Sequence, residues 1–169
     1  GYYSVILKGE GIKAELTATT HTGMHRYTFP SGKPVTIIVD LAHLLDNEYI
    51  YEAELERTTS NEIVGMRRTR GWTDNQYVYF AAQFSEPFQT VEFVQDKKIV
   101  SAETKQVGTD LQAILTFADK DGEPIIAKVG LSLVSVDNAR KNLAEEVKDF
   151  NFDAVCAAAR NDWEQALSS

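Results

Sequence analysis

Through residue 135 the apolar side chains of this chain tend to recur at every second position. Beyond it they recur at every third or fourth. A period of two belongs to a strand with one buried face, and a period near 3.6 to an amphipathic helix. The chain is therefore expected to be mainly β, with helices confined to its end. The clearest alternating stretch is 12–30. Ile12, Ala14, Leu16 and Ala18 share one face, with Lys13, Glu15 and Thr17 on the other. After a polar connection at 19–23, His25, Tyr27 and Phe29 alternate with Met24, Arg26 and Thr28. Two such runs around a polar, glycine-containing link read as a β-hairpin.

The segments 2–7, 35–39, 49–56, 63–68, 76–84, 88–94, 111–117 and 125–133 read as further strands, and 99–102 as a shorter one. The run 35–39 is almost continuously apolar, so it is expected to be buried on both faces. In 49–56, Tyr49, Tyr51, Ala53 and Leu55 are expected on one face, with Ile50, Glu52, Glu54 and Glu56 on the other. Residues 40–47 fit either a helical turn or a strand end. Asp119, Lys120, Asp121 and Gly122 form a turn signal, with Gly122 free to take positive φ. About ten strands with frequent turns describe an antiparallel sandwich. Ser135 then suits an N-cap, and Ala139, Leu143 and Val147 follow at helical spacing. Asn151 can cap a second helix, with Asp153 in its first turn. Phe152, Val155, Cys156, Ala159, Trp163 and Leu167 form its apolar stripe.

At 169 residues the chain fits one domain with a sizeable core. A net charge of −8 argues against a nucleic-acid surface. No apolar run reaches the length of a membrane span. The single cysteine, Cys156, excludes an internal disulfide and a cysteine-clustered zinc site, and its place on the apolar stripe suggests a buried thiol. His21 and His25 are four residues apart on a hairpin rather than a helix, so with His43 they make no expected metal site. Glu52, Glu54 and Glu56 read as a solvated strand face, not as the opposed carboxylates of a glycosidase. No catalytic residue is assigned. His25 and Arg26 occupy neighbouring strand positions and so face opposite ways. Each could reach a sugar hydroxyl from a sheet edge, and the alternative is a hydrogen-bonded structural role. Trp72, in the loop Arg70-Gly71-Trp72-Thr73, suits a sugar-stacking platform, a cap on the core or a contact to another domain.

Beyond these patterns, the chain resembles the glycoside hydrolase family 92 α-mannosidases, in their N-terminal β-sandwich domain. The resemblance rests on Tyr2, Tyr3, Ser4 and Val5, on 11–19 and on 25–30. It continues through Arg70-Gly71-Trp72, Val78-Tyr79-Phe80, Phe84-Ser85 and Pro87-Phe88. It returns at Lys128-Val129-Gly130-Leu131-Ser132 with Val136, then at Ala139, Asn142 and Leu143, and ends near Trp163.

The resemblance implies an antiparallel β-supersandwich like that of galactose mutarotase over 1–135, its first strands missing. Two helices over 136–169 would then form the linker toward an (α/α)6 catalytic barrel that this sequence does not contain. The implied parent is an exo-acting, inverting, calcium-dependent α-mannosidase, α-1,2 in linkage, periplasmic or extracellular. Its catalytic carboxylates and calcium ligands belong to the barrel, so no cofactor or metal is expected on this chain. The expected partners are the parent's own C-terminal catalytic domain and mannose-containing glycans, with Trp72, His25 and Arg26 as candidate substrate contacts. The implied role is that of a non-catalytic domain lining and supporting the active site, inactive alone. A stand-alone carbohydrate-binding module is the alternative.

Overall fold

In the computed structural model, residues 1–45, 48–71, 73–100 and 104–168 are described. The elements are β1 (Tyr2–Ile6), β2 (Lys13–Ala18), β3 (Thr22–Thr28), β4 (Val35–Asp40), β5 (Tyr49–Arg57), β6 (Glu62–Arg70), β7 (Gln76–Phe84), β8 (Thr90–Gln95), β9 (Lys98–Val100), β10 (Lys105–Gly108), β11 (Leu111–Phe117), β12 (Ile125–Ser132), α1 (Val136–Glu146) and α2 (Phe152–Leu167). Eight strands form one sheet in the order β1-β2-β3-β12-β7-β6-β5-β10, and β4-β11-β8-β9 form a second. The pairings are antiparallel. The expected mainly-β sandwich with two C-terminal helices is what the chain forms.

The core lies between the sheets. Leu55, Ile63, Phe80, Phe84, Ile125 and Ala127 from the large sheet meet Phe93, Leu111, Ala113, Leu115 and Phe117 from the small one. Phe84, Phe88 and Phe117 close one end as an aromatic trio, with ring centroids 5.4 to 5.5 Å apart. The outer face of the large sheet carries the helices. α1 lies across β12 and β7, and α2 across β2 and β3. Gly130 makes the first contact possible: a Cβ there would sit 2.3 Å from the Ala139 carbonyl oxygen and 2.8 Å from Leu143 Cβ. Ser135 caps α1 by accepting from the Asn138 N–H, and Asn151 caps α2 by accepting from that of Ala154.

Several strand expectations are corrected. The first hairpin is tighter than read, because β3 already begins at Thr22 and pairs it with Gly130. β4 is not buried on both faces. It is an edge strand of the small sheet, with Val35, Ile37 and Val39 toward the core and Ile38 on the outward face, 59% exposed despite the apolar run. A register shift between Ile50 and Glu52 breaks the alternation of β5. The extra residue turns Ile50 into the core and leaves Tyr49 and Tyr51 outside, 59% and 40% exposed. β10, too short and polar to show a period, was not anticipated. The possible strand at 99–102 is realised as β9, and its residues 101 and 102 lie outside the described part, as do 46 and 47 of the ambiguous segment 40–47. The described residues 41–45 adopt no helix or strand.

Candidate functional site

The large sheet is longer than the small one, so its inner face is left partly open beside β4. The opening is a groove of about 430 Å³ between β4 and the strands β6, β7 and β12. Its floor is apolar, made of Val78, Phe80, Val129 and Leu131, and its rim carries Glu48, Arg67, Thr69 and Gln76. Arg67 braces the rim. Its Nη1 donates to the His43 carbonyl oxygen at 2.7 Å and its Nη2 to Glu48 Oε2 at 3.2 Å. Past Val78 and Leu131 the groove runs into a second hollow of about 440 Å³ at the β2–β3 turn, lined by Thr19, His21 and Gly23.

His25 is half-buried on the inner face of β3. Its Nδ1 is 2.8 Å from the Tyr27 hydroxyl, and its Nε2 lies 3.4 Å from where a Cβ on Gly23 would be. Burial lowers the His25 pKa below its ordinary 6.5 and raises that of Tyr27 above 10.0. The imidazole is therefore neutral at neutral pH, able to donate from one nitrogen and accept at the other. Trp72 lies outside the described residues. Its neighbours form a tight loop at the groove end of β6 and β7, in which the Gly71 N–H donates to the Thr73 carbonyl at 3.0 Å.

Arg26 faces the other way. Its Nε and Nη2 donate to Glu15 Oε2 and Oε1, both at 2.9 Å, and its Nη1 to Asp153 Oδ1 at 2.9 Å. The guanidinium lies 4.3 Å over the Phe152 ring. Glu15 is only 3% exposed and also accepts from the Tyr2 hydroxyl at 2.6 Å. Arg26, Tyr2 and Lys13 hold its carboxyl down at about 2, despite the opposing effect of burial. Two further joints tie α1 to the sheet. Glu62 accepts from Arg140 Nη2 at 2.8 Å, from Thr58 at 2.6 Å and from Gln83 at 2.9 Å. Glu146 accepts from the Thr19 hydroxyl and from the His21 backbone N–H. The three sequence candidates are thus not brought together. His25 lies on the inner face of β3 without lining either hollow, Arg26 is engaged under α2, and Trp72 is outside the description.

The buried carboxylates Glu15 and Glu62 escaped the sequence reading, which took polar positions on strands as solvated. The hairpin register offered a signal, since it sets Glu15 opposite Arg26. Glu52, Glu54 and Glu56 lie on the outer face, half-exposed, with Lys105 Nζ 2.6 Å from Glu54 Oε2. Cys156 is half-buried against the cluster of Met24, Val147 and Phe152 rather than fully buried. Among the described residues no three His, Cys, Asp or Glu side chains converge to hold a metal ion. Glu48 is the one carboxylate among the described residues lining the main groove. Among the described residues, the groove offers a polar ligand hydrogen-bonding groups from Arg67, Thr69 and Gln76.

Comparison with known proteins gives a consistent result. The fold matches a GH92 α-mannosidase of Bacteroides thetaiotaomicron, solved in complex with mannoimidazole, at 33% identity and a TM-score of 0.92, over 99% of this chain and 23% of that one. A GH92 inverting mannosidase of the same organism matches in fold with a TM-score of 0.86 at 23% identity, over 99% of this chain and 22% of that one. An uncharacterized secreted glycosidase of Arthroderma benhamiae is 25% identical over 99% of this chain and 24% of its own length. The chain thus spans about a quarter of the length of the relatives it matches. The profile of the glycosyl hydrolase family 92 N-terminal domain matches residues 1–132, and on that match the chain belongs to glycosyl hydrolase family 92, as its N-terminal domain.

Proposed function

We propose that the chain is the non-catalytic domain of an exo-acting α-mannosidase, α-1,2 in linkage, and that it supports and lines the active site of a separate barrel domain. The observation that carries this reading is the match of nearly the whole chain to under a quarter of a GH92 α-mannosidase that accepts mannoimidazole. In this reading the inverting reaction uses one carboxyl as base on a water and another as acid on the leaving oxygen. Both carboxyls, and the calcium, belong to the rest of the polypeptide. This chain contributes a wall: the groove rim of Arg67, Thr69 and Gln76, the neutral imidazole of His25 and the stacking face of Trp72. Arg26 is left out, because its donor nitrogens are already engaged. The secreted relative supports export, and in this reading the parent protein works in the periplasm or outside the cell.

The test compares this chain with the full-length polypeptide that carries it, on α-1,2-mannobiose. The full-length protein is expected to hydrolyse the disaccharide and the chain alone to be inert. Trp72→Ala in the full-length protein is expected to raise KM about tenfold, the loss of about 1.4 kcal/mol of stacking, with kcat little changed. An inactive full-length protein, or unchanged KM in the variant, would overturn the reading. Tight binding of α-mannosides by the chain alone would favour a stand-alone carbohydrate-binding module instead.

A further inference from the structure

The β5 bulge has an effect beyond exposing two tyrosines. It aligns them with side chains of β6 and β7 on the outer face of the large sheet, on the side that carries α1. Arg68 pairs in register with Tyr77, and Met66 with Tyr79. The Arg68 guanidinium carbon lies 5.0 Å from the Tyr51 ring centroid and 5.4 Å from that of Tyr77. The row is extended at one end by Tyr49, edge-on to Tyr51 at 5.2 Å, and at the other by Tyr79, parallel to Tyr77 within 7° at 6.2 Å. Arg68 Nε is fixed by donation to Asn75 Oδ1 at 2.6 Å.

Five planar groups on three adjacent strands thus stack into a ladder. Each rung holds the next in place, so little side-chain freedom remains to be lost on contact. Among the described residues none of the four phenol hydroxyls has a hydrogen-bond partner. Arg68 occupies one face each of Tyr51 and Tyr77, while Tyr49 and Tyr51 stay 59% and 40% exposed. What the ladder offers is a contiguous row of tyrosines with a cation in its middle. That is the composition of protein–protein contact centres, where tyrosine and arginine are enriched.

We propose that this ladder is the docking surface for the remaining, non-sandwich part of the GH92 polypeptide, which meets it with backbone carbonyls and carboxylates around Arg68. The inference rests on the reading that the chain works as one domain of a longer protein. Two observations choose this occupant. Related family members carry more than three-quarters of their length outside the matched region, so a large partner exists in the same polypeptide. The ladder also lies on the same sheet face as α1 and α2, beyond the strip that α1 covers, and continues a surface already used for packing.

The test is chemical modification of tyrosines, read by peptide mass spectrometry, in this chain and in the full-length polypeptide that carries it. Neither protein needs a substitution. Tyr49, Tyr51, Tyr77 and Tyr79 are expected to react in the chain and to be slowed about tenfold in the full-length protein, equivalent to about 1.4 kcal/mol of protection. Equal rates in the two proteins would overturn the proposal. So would slowing in the chain alone that grows with its concentration, which would assign the ladder to a second copy. Slowing of the full-length protein only after α-mannan is added would assign it to a glycan and equally overturn the proposal. Mannosidase activity, measured on the same samples, separates the two readings. An active enzyme with an unprotected ladder refutes only this inference, and an inactive protein with a protected ladder refutes only the assigned activity.

Discussion

Removing the charge of Glu15 should change how stability depends on pH. Its side chain is buried between β2, β3 and α2, and its carboxyl is depressed from 4.5 to about 2, chiefly by the two Arg26 hydrogen bonds. A carboxyl whose folded pKa lies below its unfolded one adds stability above the unfolded value and loses it as pH falls toward the folded one. At about 1.4 kcal/mol per pH unit, the drop from 4.5 to about 2 is worth about 3 kcal/mol at pH 7. The same linkage removes about 2 kcal/mol of it between pH 7 and pH 3. Urea unfolding of the chain and of Glu15→Gln at several pH values across that range isolates the effect. Glu62 and Glu146 are also depressed, but they titrate in both proteins and cancel in the difference. The variant is expected to be less stable at pH 7 and to lose about 2 kcal/mol less than the parent on going to pH 3. Parallel curves, agreeing within about 0.5 kcal/mol throughout, would show that the Arg26 pair does not hold the Glu15 charge in the folded state.

Two further perturbations probe the seating of α1. Gly130→Ala brings a methyl group against the Ala139 carbonyl oxygen at 2.3 Å, so the helix must lift. The cost is expected to be about 1–3 kcal/mol, read as a lower urea midpoint, and a variant as stable as the parent would mean that α1 does not rest on β12. Arg140→Met strips Glu62 of its ion pair while keeping much of the aliphatic volume. Breaking one side of a buried pair costs about 3–5 kcal/mol, though Arg140 is partly exposed and the lower end applies. Stability should partly recover at low pH, once Glu62 is protonated, and a loss independent of pH would refute the pairing.

The sequence displayed what depends on period. Hairpin β2–β3, strands β7, β11 and β12 and both helices with their Ser135 and Asn151 caps follow from alternation and capping chemistry, and the family could be named from the side chains those elements carry. It hid what depends on layers. Nothing in the run at β4 says that it ends as an outer edge, and an alternating β5 gives no warning of the residue that bulges out between Ile50 and Glu52. Glu15 and Thr17 look like a solvated face until α2 is laid over them. His25 could be placed on its correct face by counting from Phe29. At the groove, Arg67, Glu48 and Gln76 come from distant segments that only the sheet order brings to one rim.

The joints between helices and sheet are charged, and that choice has a geometric result. An apolar contact such as Phe152 on Met24 tolerates sliding, because burial is nearly indifferent to direction. A two-point arginine–carboxylate contact is not: Arg140 on Glu62 fixes α1 on β6, while Arg26 on Glu15 locks β2 to β3 and reaches α2 through the single bond to Asp153. α1 is held through its first half and middle by Ala139 and Leu143 over Gly130 and by Arg140 on Glu62, and at its end by Glu146 on Thr19 and by Lys128 Nζ on the Val147 carbonyl. The buried residues of α2, Phe152 and Ala159, and its ion pair from Asp153 lie in its first half. Its second half stands away from the sheet, with Trp163 61% and Leu167 78% exposed. The anchors of α2 on the sheet thus gather at its N-terminal end, where Asp153 accepts from Arg26 and Phe152 packs on Met24.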